Sequence, residues 1–104
     1  MSLSILVISL GAAAFASSLW AQPYPSKPIT VIVPFAAGGP VDTDTRRYTA
    51  RMSALLGQPV VVDYRPGAGT SIGAQHVARA TPDGYTLLSD SSAFAVFPAF
   101  YKDL

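Results

Sequence analysis

The sequence predicts an α/β protein, the β-α-β-α-β start of a parallel sheet. Three observations predict it. Short apolar, largely β-branched runs recur at 29–33 (Ile-Thr-Val-Ile-Val), 60–62 (Val-Val-Val) and 85–88 (Tyr-Thr-Leu-Leu), the signature of strands. Helix-period segments separate them. Each strand also runs into a loop rich in glycine or hydroxyl residues. Strands alternating with helices give right-handed crossovers and a parallel sheet, so the three loops are expected to gather on one edge.

Before the first strand, residues 1–21 carry no charge and are largely apolar. They read as a secretory signal peptide cut after Ala21, with Ser18 as the competing cleavage site. An uncleaved anchor is the other reading, although the apolar block is short for a membrane span. Pro23, Pro25 and Pro28 make 22–28 an extended lead-in. The remaining residues, 22–104, are expected to form part of one domain.

The first strand, 29–33, ends at Pro34 and opens into Phe35-Ala36-Ala37-Gly38-Gly39. Pro40 suits the first helical position, and Asp42 falls in the first turn, where a carboxylate complements the helix dipole. The first helix spans 41–56, with Val41, Thr45, Tyr48, Met52 and Leu55 on its inner face. Asp44 can pair with Arg47 or Tyr48 one turn on, and Gly57 is the expected C-cap. The unbroken valine run of the second strand predicts burial on both faces. Its loop, 63–71, leads into a short helix at 72–80, with Ser71 as the N-cap candidate and Ala74, Val77 and Ala78 turned inward. Pro82-Asp83-Gly84 is a turn. The third strand is followed by Ser89-Asp90-Ser91-Ser92-Ala93, a third polar loop. The apolar run 94–100, broken by Pro98, follows it.

Composition narrows the function. The formal net charge is +1 with scattered charges, and there is no cysteine. No basic stripe for nucleic acid or polybasic membrane patch is present, and no thiolate chemistry or disulfide framework is possible. His76, the only histidine, sits in mid-helix as a solvated residue, and no metal-ligand cluster stands in the sequence. The serines lack a nearby base. Gly67, Gly69 and Gly73 form G-x-G-x-x-x-G after a strand. This approaches a dinucleotide fingerprint but misses its spacing and its place on the first strand. Backbone N–H groups and hydroxyls on three loops suit a carboxylate better, with Phe35 as an apolar wall.

The motifs as a set resemble the Bug family, the periplasmic receptors of tripartite tricarboxylate transporters. They are Tyr24-Pro25-Ser26-Lys27-Pro28-Ile29, Val33-Pro34-Phe35-Ala36-Ala37-Gly38-Gly39 with Asp42, Thr43 and Arg46, Leu56-Gly57-Gln58-Pro59-Val60, Arg65-Pro66-Gly67-Ala68-Gly69, Ile72-Gly73-Ala74, and Pro82-Asp83-Gly84-Tyr85. The resemblance implies part of the first lobe of a type II periplasmic-binding-protein fold. It also implies a non-enzymatic receptor that uses no cofactor, binds a small carboxylate and serves a membrane permease. By position, Phe35, Ala36, Gly38, Gly39, Asp42 and Thr43 of the first loop should face the ligand. So should Gly69 and Ser71 of the second, and Ser91, Ser92 and Ala93 of the third.

The chain departs from the family pattern at several places. Pro40 and Val41 replace small or hydroxyl residues. Asp44 and Arg47 fall on a helix that is usually apolar, which is expected to cost packing. Ser71 and Phe97 stand where the family often has Asn. Asp90 brings a carboxylate to the edge, where it would repel an anion or select an amine. Family members are longer, so the chain is expected to be an N-terminal piece that binds weakly or not at all by itself, monomeric if folded. A truncated, inert product is the alternative, and a nucleotide-binding module a more distant one.

Overall fold

The computed structural model describes residues 22–96. The signal-peptide reading of 1–21, the end of the apolar run at 97–100 with Phe97, and residues 101–104 lie outside the described residues.

Five principal elements follow the expected order: β1 (Ile29–Val33), α1 (Pro40–Leu56), β2 (Val60–Tyr64), α2 (Ser71–Arg79) and β3 (Thr86–Leu88). Single 3₁₀ turns precede α2 (Ala68–Thr70) and follow β3 (Ser92–Val96). The strands form one parallel sheet in the order β2-β1-β3. Val31 sits opposite Val62 on one side and Leu87 on the other.

The central position of β1 determines where the core lies. Ile29, Val31, Ile32 and Val33 are all buried, with Ile32 and Val33 fully so. Burying such side chains is worth about 1.5–3 kcal/mol each. The two-sided burial expected for β2 belongs to β1 instead. β2 is an outer strand of this sheet, and Val61 is half exposed.

Local chemistry sets the helix ends. Gly39 is extended at the N-cap of α1, with Pro40 following, and Gly57 closes the helix in the left-handed region, its N–H donating to Ser53 O at 3.0 Å. This matches the proline-in, glycine-out asymmetry of helices. The buried face of α1 matches the expected one only in part. Thr45 is buried as expected and Val41 and Met52 are half-buried, but Asp42 and Thr49 are buried as well, while Tyr48 and Leu55 are exposed. Asp44 and Arg47 also lie exposed and pair with each other at 3.8 Å, so the packing cost expected of them does not arise.

α2 begins at Ser71 rather than Ile72, with Thr70 at the N-cap in the left-handed region. Gly73 is buried, Ala74 and Val77 are half-buried, and Ala78 is exposed. His76 is exposed, as expected.

The lead-in is tied to the turn before β3. Tyr24 donates its hydroxyl to Gly84 O, and its ring lies 4.9 Å from that of Tyr85. Ser26 N donates to Tyr85 Oη at 2.8 Å, and Lys27 Nζ sits 4.5 Å from the centre of the same ring.

Candidate ligand edge

All three strands point the same way, so the loops after β1, β2 and β3 meet at one edge of the sheet. The backbone knits them there. Arg65 N donates to Val33 O at 2.8 Å, and Ser89 N donates to Ile32 O at 2.9 Å. The chain steps from β1 out to β2, then back across β1 to β3. With right-handed crossovers this reversal sends α1 and α2 to opposite faces. The point of reversal, between β1 and β3, is where open α/β sheets bind ligands.

In the first loop Phe35 and Gly39 are half-buried, and Ala36 and Gly38 are exposed. Gly38 has φ +94°, a conformation that favours glycine. Its N–H donates to Asp42 Oδ2 at 2.8 Å. Thr43 is exposed, and its hydroxyl donates to Gly39 O at 3.2 Å. The N–H groups of Ala36 and Ala37 have no acceptor among the described residues.

Asp42 is only 3% exposed. Besides the Gly38 N–H, its carboxylate receives Arg46 Nε at 2.9 Å and the Tyr64 hydroxyl at 2.6 Å, both on Oδ1. Arg46 Nη2 donates in turn to Tyr64 Oη at 2.6 Å. The Tyr64 hydrogen bond, followed by that from Gly38, holds the carboxyl below its ordinary value of 3.8 against the opposing effect of burial. The Tyr64 phenol is pushed up, chiefly because its proton is engaged by Asp42.

The second loop is backbone-strained. Ala68, Gly69 and Thr70 follow one another with φ +48°, +62° and +76°. Non-glycine residues adopt such angles at a cost and concentrate at functional sites. Gly69 is exposed; Ser71 is buried, its hydroxyl donating to Ala68 O at 2.8 Å. In the G-x-G-x-x-x-G run Gly73 serves packing, since a Cβ there would stand 2.7 Å from Pro34 Cβ, whereas Gly67 answers to its φ of +125°, a backbone conformation that side chains rarely adopt.

In the third loop Ser91 is half-buried and Ser92 exposed, while Ala93 belongs to the 3₁₀ turn. Ser91 N donates to Asp90 Oδ1 at 2.7 Å. Ser89, not singled out by the sequence, reaches α1: its hydroxyl lies 2.7 Å from Thr45 Oγ1 and bonds Tyr48 Oη. Among the described residues, two buried side-chain polar atoms have no partner, Thr70 Oγ1 and Asp90 Oδ2. Both sit at the carboxyl edge of the sheet. Thr70 escaped the sequence reading because its isolation depends on the turn that buries it.

The TctC family profile, described as the tripartite tricarboxylate transporter family receptor, matches residues 45–104. The chain belongs to this family. A UPF0065 protein of Bordetella pertussis is 48% identical over 90 residues, covering 86% of this chain and 28% of that protein. The chain thus spans little more than a quarter of that relative's length. Among solved structures, a periplasmic transporter superposes with a TM-score of 0.62 at 61% identity, over 64% of this chain and 22% of its own. MatC from Rhodopseudomonas palustris with bound malate gives 0.61 at 49% identity, over 62% and 22%. R. palustris Rpa4515 with adipate gives 0.62 at 39% identity, over 64% and 22%. The family is thus one of transporter receptors, and the first of these neighbours is a periplasmic transporter.

Proposed function

We propose that this chain forms one wall of the binding cleft of a periplasmic carboxylate receptor, which hands a small dicarboxylate to a tripartite membrane permease. The observation that carries the reading is the convergence of three loops at the β1/β3 reversal, where the Ala36 and Ala37 amides have no acceptor among the described residues. Neutral donors and a nearby helix N-terminus are what a carboxylate needs. The ligands of two neighbours, malate and adipate, are both dicarboxylates. The proposed ligand contacts are Phe35, Ala36, Gly39, Gly69, Ser91, Ser92 and Ala93.

Gly38 and Thr43 take a supporting part, since their donors are already engaged within the loop. Ser71, whose hydroxyl donates to Ala68 O, supports the second loop in the same way. The protein acts by binding, without chemical conversion. Residues 1–21 serve as its export signal.

Amide shifts of the ¹⁵N-labelled chain, titrated with malate, adipate and the neutral diamide of malate, test this reading. Dicarboxylates are expected to move amides at 35–39, 69–71 and 91–93, with weak affinity because one wall alone encloses little of the ligand. Shifts elsewhere, or equal shifts with the diamide, would overturn it.

A further inference from the structure

We infer that Asp42 is a positioning residue: it does not touch the ligand but braces the first loop, taking the Gly38 amide and presenting its neighbours. This rests on the carboxylate-receptor reading for its functional part and on geometry for the rest.

The carboxylate has its acceptor capacity taken up from three elements. Gly38 comes from the loop, Arg46 from α1 and Tyr64 from the end of β2. Arg46 and Tyr64 also bond each other, which closes a ring of hydrogen bonds around Oδ1. Asp42 is buried, whereas the Arg46 side chain is 64% exposed, so solvent reaches the network from the arginine side. A buried carboxylate this fully satisfied has little left to offer a ligand, and a second anion beside it would be repelled.

The geometry gives it another task. Gly38 stands at φ +94° with nothing within 4 Å of where a Cβ would lie, so packing does not hold it. Its tie to Asp42 does. With the Gly38 N–H turned inward to Oδ2, the amides of Ala36 and Ala37 remain for the ligand. The family resemblance points to the same residue, but for a different role: as part of the first loop, Asp42 is expected there to face the ligand.

The inference separates from mere stabilisation by two readouts. The first is hydrogen exchange in the full chain, which needs no ligand. Asp42→Asn keeps the shape but weakens the acceptor. It should speed exchange of the Gly38 amide at least about tenfold more than that of the Val31 amide in the central strand, whose change reports only the overall loss of stability. Tyr64→Phe, which removes one donor to Asp42 and leaves the loop sequence intact, should move Gly38 in the same direction. Equal protection of Gly38 in wild type and both variants would overturn the inference.

The second readout uses MatC carrying residues 22–96 of this chain in place of its own segment. Tyr64→Phe there should weaken malate binding about tenfold, or 1.4 kcal/mol, with the thermal midpoint little changed. Unchanged affinity would contradict the functional part. If the parent chimera fails to bind, the carboxylate reading is at fault, and the exchange result still decides whether Asp42 holds the loop.

Discussion

Gly73 of α2 lies directly against Pro34 at the end of β1. A Cβ added at Gly73 would stand 2.7 Å from Pro34 Cβ and 3.1 Å from Arg65 O. The second helix therefore packs on the first loop's entrance at a distance that only glycine permits. Alanine would gain about 1 kcal/mol of helix propensity, but overpacking costs about 1–3 kcal/mol. The atoms it meets are a proline ring and a carbonyl, which cannot swing aside. Gly73→Ala should therefore lower stability by about 1–2 kcal/mol, read as a lower urea midpoint at unchanged slope. A raised midpoint would show that the helix can shift outward freely.

Acid sensitivity should pass through Asp42. Its carboxyl is held below 3.8 in the folded protein, first by Tyr64 and then by Gly38. The folded state thus binds that proton less readily than the unfolded one. The stabilisation is present above the ordinary carboxylate value and is lost as pH falls through the depressed one. The urea midpoint should decline from about pH 4 downward, and Asp42→Asn should flatten that decline while lowering the midpoint at neutral pH. An identical acid limb in the variant would mean that other carboxylates set it.

Two tyrosines should titrate on opposite sides of their ordinary value. Tyr85 is drawn below 10.0, chiefly by its hydrogen bonds with Ser26, whereas Tyr64 is raised by donating to Asp42. In a spectrophotometric titration of phenolate, Tyr85→Phe should remove absorbance that develops below about pH 10, and Tyr64→Phe absorbance that develops above it. For Tyr64 the neutral form is the favoured one, so its contribution to stability persists below the ordinary value and fades as pH rises through the raised one. Loss of the same part of the curve in both variants would contradict the two networks.

The strands, helices and their order were legible because hydrophobic period and glycine placement are local properties. The strand order was not. The Val60-Val61-Val62 run looks more buried than Ile-Thr-Val-Ile-Val, yet the latter takes the centre because the chain reverses over it. The buried face of α1 was legible only in part, for a similar reason. Thr45 was placed inward correctly, but apolarity also pointed to Tyr48 and Leu55, whereas Asp42 and Thr49 are buried beside Thr45 because Gly38, Val41, Arg46, Tyr64 and Ser89 supply the hydrogen bonds of all three. Burial of a polar group depends on partners brought by the fold, and Tyr64 stands 22 positions away from Asp42 in sequence. The loops themselves were legible, but which of their donors remain free was not.

The measurement that bears most directly on the central claim is calorimetric titration of the MatC chimera carrying residues 22–96 of this chain. It should bind malate within about tenfold of the parent receptor and ignore the neutral diamide. A chimera that melts cooperatively but gives no heat with malate, adipate or other small dicarboxylates would contradict the account.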